Sequence, residues 1–217
     1  MITIEVIHMK YFTSFFLIAF SSLSTTLSAQ EILWEHSYGG SDNEFARDIQ
    51  PTSDGGSVVA GYRWFSLPGD VYYLNDYWIV KLDRSGEIEW DKTYRGFLND
   101  HASSITTTQD GGYKIAGYSE SANLDVPNNY GGWDGLLVGL NDSGEIVAGQ
   151  NYGGSGDDRV YSVRQTEDLG YIFAGSSLSD DMDVPGNLGY EDYWIVKLNA
   201  EGVIEWKKNY GGSNLDA

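Results

Sequence analysis

Asp180, Asp181 and Asp183 fall within four consecutive positions. Oxygen ligands packed this closely suit a hard divalent cation, and calcium is the cofactor such a cluster would take. The spacing is not that of an EF-hand loop. The run Met182-Asp183-Val184-Pro185 also echoes Leu124-Asp125-Val126-Pro127, as a loop-folding motif would. Tyr73, Tyr130, Trp133 and Tyr190 lie in the same class of loop, and their rings could stack on sugars. Nucleophilic chemistry has little to build on. No serine stands in a Gly-x-Ser-x-Gly elbow, and His36 and His101 are the histidines beyond the first ten residues. No catalytic residue is assigned, so the chain reads as a non-enzyme. Paired carboxylates would be the resource of an enzymatic alternative, a glycosidase or lyase.

The elements that must position these groups come from a repeat. Asp-Tyr-Trp-Ile-Val-Lys-Leu stands at 76–82 and again at 192–198, with Asp-Gly-Leu-Leu-Val-Gly-Leu at 134–140 between them. Tyr38-Gly39-Gly40, Tyr94-Arg95-Gly96, Tyr152-Gly153-Gly154 and Tyr210-Gly211-Gly212 keep the same register, as do Ala60-Gly61, Ala116-Gly117 and Ala174-Gly175. Each unit holds four short runs rich in β-branched and aromatic residues, in the first unit Phe45–Thr52, Gly56–Trp64, Tyr77–Asp83 and Glu87–Tyr94. No stretch shows a capped helical period. Four strands per repeat predict an all-β chain of four-stranded antiparallel β-propeller blades. Three full blades are expected at about 44–94, 101–152 and 158–210, with a lone strand at 31–38. Closed propellers need roughly 4–8 blades, so the domain 30–217 reads as a partial propeller, a fragment of a larger ring. Its open blade edges would invite self-association.

Residues 1–29 read as a cleaved signal peptide. Tyr11–Phe20 is an apolar run too short to span a bilayer, and Leu27-Ser28-Ala29 precedes Gln30 as a cleavage site. The expected location is therefore secreted or cell-surface, with no membrane span in the mature protein. The chain has no cysteine, so the core alone must hold the fold. A formal net charge of −19 excludes nucleic acid as a natural partner.

Thr52-x-Asp54-x-Gly56, Thr108-x-Asp110-x-Gly112 and Thr166-x-Asp168-x-Gly170 resemble the Asp-box of sialidase-type propellers, without its closing Thr-Trp, and read as folding turns. Taken together, the units at 76–96, 105–118 and 192–212 resemble the β-propeller repeats of secreted and cell-surface bacterial proteins. Many of those look like cargo of the type IX secretion route. The resemblance implies an extracellular binding or interaction scaffold for a glycan or protein ligand, with no known reaction. A purely structural surface protein is the other non-enzymatic alternative.

Overall fold

The structure, a computed structural model, describes residues 34–65, 73–122, 128–214 and 216. The chain divides into two units, 1–36 and 37–217, and the second carries everything that follows. Its described residues are all-β and form twelve strands. The first sheet comprises β1 (Glu44–Pro51), β2 (Ser57–Phe65), β3 (Leu74–Leu82) and β4 (Ile88–Tyr94). The second comprises β5 (Asp100–Thr107), β6 (Tyr113–Ser119), β7 (Asp134–Leu140) and β8 (Ile146–Tyr152). The third comprises β9 (Asp158–Gln165), β10 (Tyr171–Ser177), β11 (Asp192–Leu198) and β12 (Ile204–Tyr210). Each is an antiparallel meander in sequence order. The three sheets span residues 44–94, 100–152 and 158–210.

Strands 7–9 residues long, apolar on both faces, need cover on both sides. The sheets supply it by stacking. One core cluster gathers Val58, Ala60, Tyr77 and Ile79 of the first sheet against Ile105, Ile115, Leu136 and Val138 of the second. Another gathers Ala116, Leu137 and Tyr152 of the second against Val163, Phe173, Trp194 and Val196 of the third. Each fully buried branched or aromatic side chain contributes roughly 1.5–3 kcal/mol. These clusters are the main cohesion of a chain without disulfides.

The first strand of each sheet bulges at one place, between Ala46 and Asp48, between Ala102 and Ser104, and at Tyr161 opposite Ala174 and Gly175. The glycine of each Ala-Gly pair sits opposite that bulge. A Cβ there would overlap the carbonyl oxygen of Phe45 (at Gly61), His101 (at Gly117) or Arg159 (at Gly175). The bulge re-aims the inner strand. Asp48 Oδ2 thereby accepts from Ser104 Oγ at 2.9 Å and from Ile105 N at 3.0 Å, across the seam between sheets.

The lone strand expected at 31–38 is not formed over its described part. Residues 34–40 carry no strand. Residues 31–33, like the expected leader at 1–29, lie outside the described residues.

Candidate ligand-binding face

The turn motifs are structural, as expected. Gly56 N donates to Asp54 Oδ1 at 2.9 Å, and Gly55 takes a left-handed φ of 88°. The lysine of the heptad repeat locks this turn. Lys81 Nζ, on a side chain only 3% exposed, donates to Asp54 Oδ2 at 2.8 Å, Glu89 Oε2 at 2.7 Å and the Leu82 carbonyl at 3.0 Å. Lys197 repeats the arrangement with Asp168, Glu205 and Leu198.

The acids at the opposite strand ends depart from expectation. The sequence places them on an exposed acidic face, yet Asp76, Asp100, Asp134, Asp158 and Asp192 are 0% exposed. Their work is folding. Gly40, Gly96, Gly154 and Gly212 each donate their amide, at 2.7–2.9 Å, to an acid four residues later: Glu44, Asp100, Asp158 and Asp216. Asp158 also accepts from Ser177 and Ser179, and Asp100 from Ser119 and Ser121. Burial dominates the titration of Asp76, Asp100, Asp134 and Asp158. It pushes Asp76 up to about 7 despite the Arg95 guanidinium 3.4 Å away, with neighbouring Asp100 adding to the rise. It also pushes Asp134 to about 7 and Asp100 to about 6.

Asp180, Asp181 and Asp183 are held apart by separate duties. Asp180 Oδ1 accepts from Gly186 N, Asp181 Oδ1 from Ser155 N, each at 2.8 Å, and Asp183 Oδ1 lies 3.9 Å from Lys207 Nζ. Among the described residues no three His, Cys, Asp or Glu side chains converge on a metal position.

Two clefts are conspicuous. One of about 420 Å³ is lined by Arg63, Trp64, Trp78, Ile88, Asp91 and Arg95 among others, on the first sheet. The residues equivalent to Trp78 in the later sheets, Leu136 and Trp194, are buried in the seams. The cleft is thus the uncovered counterpart of a seam. The other, of about 440 Å³, borders the Lys81 lock and the two turns at Asp54 and Asp110.

A different feature has the marks of a recognition surface. Eight rings run unbroken across all three sheets. Tyr73 packs on Trp64 (5.7 Å between centroids), Trp64 on Phe45 (5.8 Å), Phe45 stacks on Tyr62 (4.9 Å), and Tyr62 meets His101 across the seam (4.2 Å). His101 stacks on Tyr118 at 5.1 Å and meets Trp133 edge-on at 5.4 Å, and Tyr118 reaches Tyr161 at 6.2 Å. Two guanidinium groups cap the band. Arg47 lies 5.1 Å over Tyr62 and donates to its hydroxyl at 2.6 Å. Arg159 lies 5.8 Å from Tyr118 and 5.9 Å from Trp133 and is paired with Asp157 at 2.8 Å. The band mixes flat apolar faces with phenol and guanidinium edges.

Of the four aromatic residues singled out from sequence, Trp133 and Tyr73 belong to this band. Tyr130 and Tyr190 are exposed and make none of its ring contacts. The other six rings were missed, although Phe45 and His101 recur one repeat apart, as do Tyr62 and Tyr118. Stacking of Tyr62 on His101 crosses between sheets, and strand patterns do not reveal it.

No protein-family profile matches the chain. It is 25% identical over 199 residues to the regulatory protein FlaEY of Caulobacter vibrioides, a match covering 82% of this chain and 20% of that protein. The chain therefore spans about a fifth of the length of the curated relative it matches.

Proposed function

We propose that this chain is a ligand-binding repeat module of propeller type, exported to the cell surface or medium, and that the aromatic band is where it binds a glycan or protein. The observation that carries the reading is the band itself. Eight rings in ring-to-ring contact, drawn from all three sheets and capped by arginines, exceed what cohesion of the seams requires. The sheets already have separate apolar cores. The stacking of equivalent four-stranded units, each inner strand set against the next, supports the propeller reading. The repeat's likeness to secreted bacterial proteins, including type IX cargo, supports export through a cleaved leader. The neighbouring acids Asp76 and Asp100, like Asp134 and Asp158, are fully buried, out of a substrate's reach, which favours binding over catalysis. Screening the protein against an array of glycans, beside Trp133→Ala and Tyr161→Ala, tests the reading. Binding that both substitutions abolish, with melting temperature retained, supports it. Binding indifferent to both moves the site elsewhere.

A further inference from the structure

Resting on that binding face, the geometry points to a more specific ligand: an oligosaccharide bearing a single carboxylate, which pairs with Arg47 while the sugar rings lie along Trp133 and Tyr161. Arg47 is exposed, and among the described residues no carboxylate comes within ion-pair distance of it. Arg63, Arg84 and Arg164 likewise lack an ion pair among the described residues, but of these four Arg47 is the one that lies against a ring of the band. It is also held in place, 5.1 Å from the Tyr62 ring centre and bonded to the Tyr62 hydroxyl, so little conformational freedom is lost when it engages an anion. Arg159, by contrast, already has Asp157 at 2.8 Å and Glu191 at 3.7 Å, and is left to donate to hydroxyl groups.

The surroundings discriminate among anions. His101 stands between the two arginines, half-buried, with its buried Nδ1 lacking a hydrogen-bond partner. Its imidazole is held neutral, at about 4, by burial first and then by Arg47 and Arg159. The centre of the band therefore holds one guanidinium, Arg47, without a carboxylate beside one, Arg159, that is already paired. One unpaired guanidinium matches one carboxylate, and a chain of net charge −19 disfavours a polyanion. The rest of the band suits sugar rather than lipid or peptide side chains. Tyr161, about half exposed, sits beside the Ser176 hydroxyl at 3.2 Å. Ring faces bordered by hydroxyls match a pyranose, which is apolar on its C–H faces and polar at its edge.

The test compares xylotetraose bearing one glucuronic acid with plain xylotetraose, by calorimetry on the full chain. The acidic sugar should bind, and Arg47→Gln should weaken it by roughly tenfold or more, the usual effect of losing a charge-assisted hydrogen bond. Plain xylotetraose should bind weakly and be unaffected by Arg47→Gln. A second readout is the His101 imidazole followed by NMR across pH. Bound carboxylate neutralises Arg47, so the imidazole should titrate at higher pH in the complex, and in Arg47→Gln the shift on adding sugar should vanish. Equal binding of both sugars, or indifference to Arg47→Gln while Trp133→Ala still abolishes binding, would overturn the carboxylate assignment and leave the binding face intact. An acidic peptide binding with the same dependence on Arg47, where neither sugar binds, would overturn the saccharide class.

Discussion

Tyr152 donates its phenolic hydrogen to the carbonyl oxygen of Gly202 at 2.7 Å, from the end of the second sheet to the last turn of the third. Tyr94 makes the same bond to Gly144 at 2.6 Å one seam earlier, and Tyr38 to Gly86 at 2.6 Å. The tyrosine of every Tyr-x-Gly landmark that faces a following sheet thus clasps that sheet's turn. The conserved spacing between landmarks is the distance from one clasp to the next.

Replacing Tyr152 by Phe keeps the ring in its core cluster and removes only the donor. The Gly202 carbonyl then loses its partner, and the protein should be destabilised by about 1–2 kcal/mol. Urea unfolding of Tyr152→Phe beside the parent would measure this. An unchanged midpoint would mean that the clasp contributes nothing beyond ring packing.

Gly117→Ala should be far more damaging. The added Cβ would overlap the His101 carbonyl oxygen and stand 2.5 Å from the Tyr77 hydroxyl, and both are fixed by the seam. A loss of about 3 kcal/mol or more is expected, at the severe end of overpacking. At Gly111 a Cβ would meet nothing within 4 Å, and only its φ of 89° resists substitution. Gly111→Ala should therefore cost about 1–2 kcal/mol, the strain of a left-handed non-glycine residue. Thermal melts that fail to separate the two variants would contradict the close approach at the bulge.

Stability should pass through a maximum in mild acid. Hydrogen bonds to the turn aspartates Asp54, Asp110 and Asp168, joined at Asp54 and Asp168 by the lysine locks, hold their pKa values below the ordinary 3.8. Their contribution is present above that value and is lost as pH falls below it. Asp76 and Asp134, at about 7, and Asp100, at about 6, act in the opposite sense. Their folded values exceed the unfolded one, so their contribution is present below pH 3.8 and is lost as pH rises through 6 to 7. His101, lowered to about 4, opposes them between 4 and 6.5 but is a single group. Calorimetric melting temperatures should rise from pH 2 to about 4 and decline from about 5 to 8, on the linkage rule. Asp134→Asn, which still accepts from Tyr130 N, should flatten the decline. A monotonic rise to pH 8 would refute the burial of these carboxyls as described.

Much of the fold could be read in the chain because it repeats. Ala60-Gly61, Ala116-Gly117 and Ala174-Gly175 announced a close backbone approach, and the structure places a bulge against each. The acids were misread for a physical reason. Asp100 and Asp158 look like exposed loop charges in sequence, but each sits at the first residue of an inner strand and folds back onto the glycine amide four residues before it. Composition counts charge and says nothing of where the amides lie. Most of the band was hidden because its rings meet across sheets, as Tyr62 and His101 do.

The second sheet holds the last test. Where the outer sheets have Lys81 and Lys197, it has Gly139, and where they have Val58 and Ile172 on the adjacent strand, it has Lys114. Gly139 and Lys114 are cross-strand partners, so the lysine has moved one strand over, to a position opposite its usual one. A Cβ at Gly139 would stand 3.2 Å from Lys114 Nζ, so the two occupy one space. From its new position Lys114 lies 4.6 Å from the Tyr171 ring, and Asp110 is the acid that favours its charge against the burial that opposes it. Gly139→Lys alone should crowd two cations together, and Lys114→Val alone should leave Asp110 without a counter-charge. Each should destabilise the protein by about 1–2 kcal/mol. The double variant restores the arrangement of the outer sheets, with a lysine beside a valine and Asp110 in the place of Asp54. A double-mutant cycle should return a favourable coupling of at least about 1 kcal/mol between the two sites. Additive losses would show that the exchange of lysine and glycine is not a compensated pair.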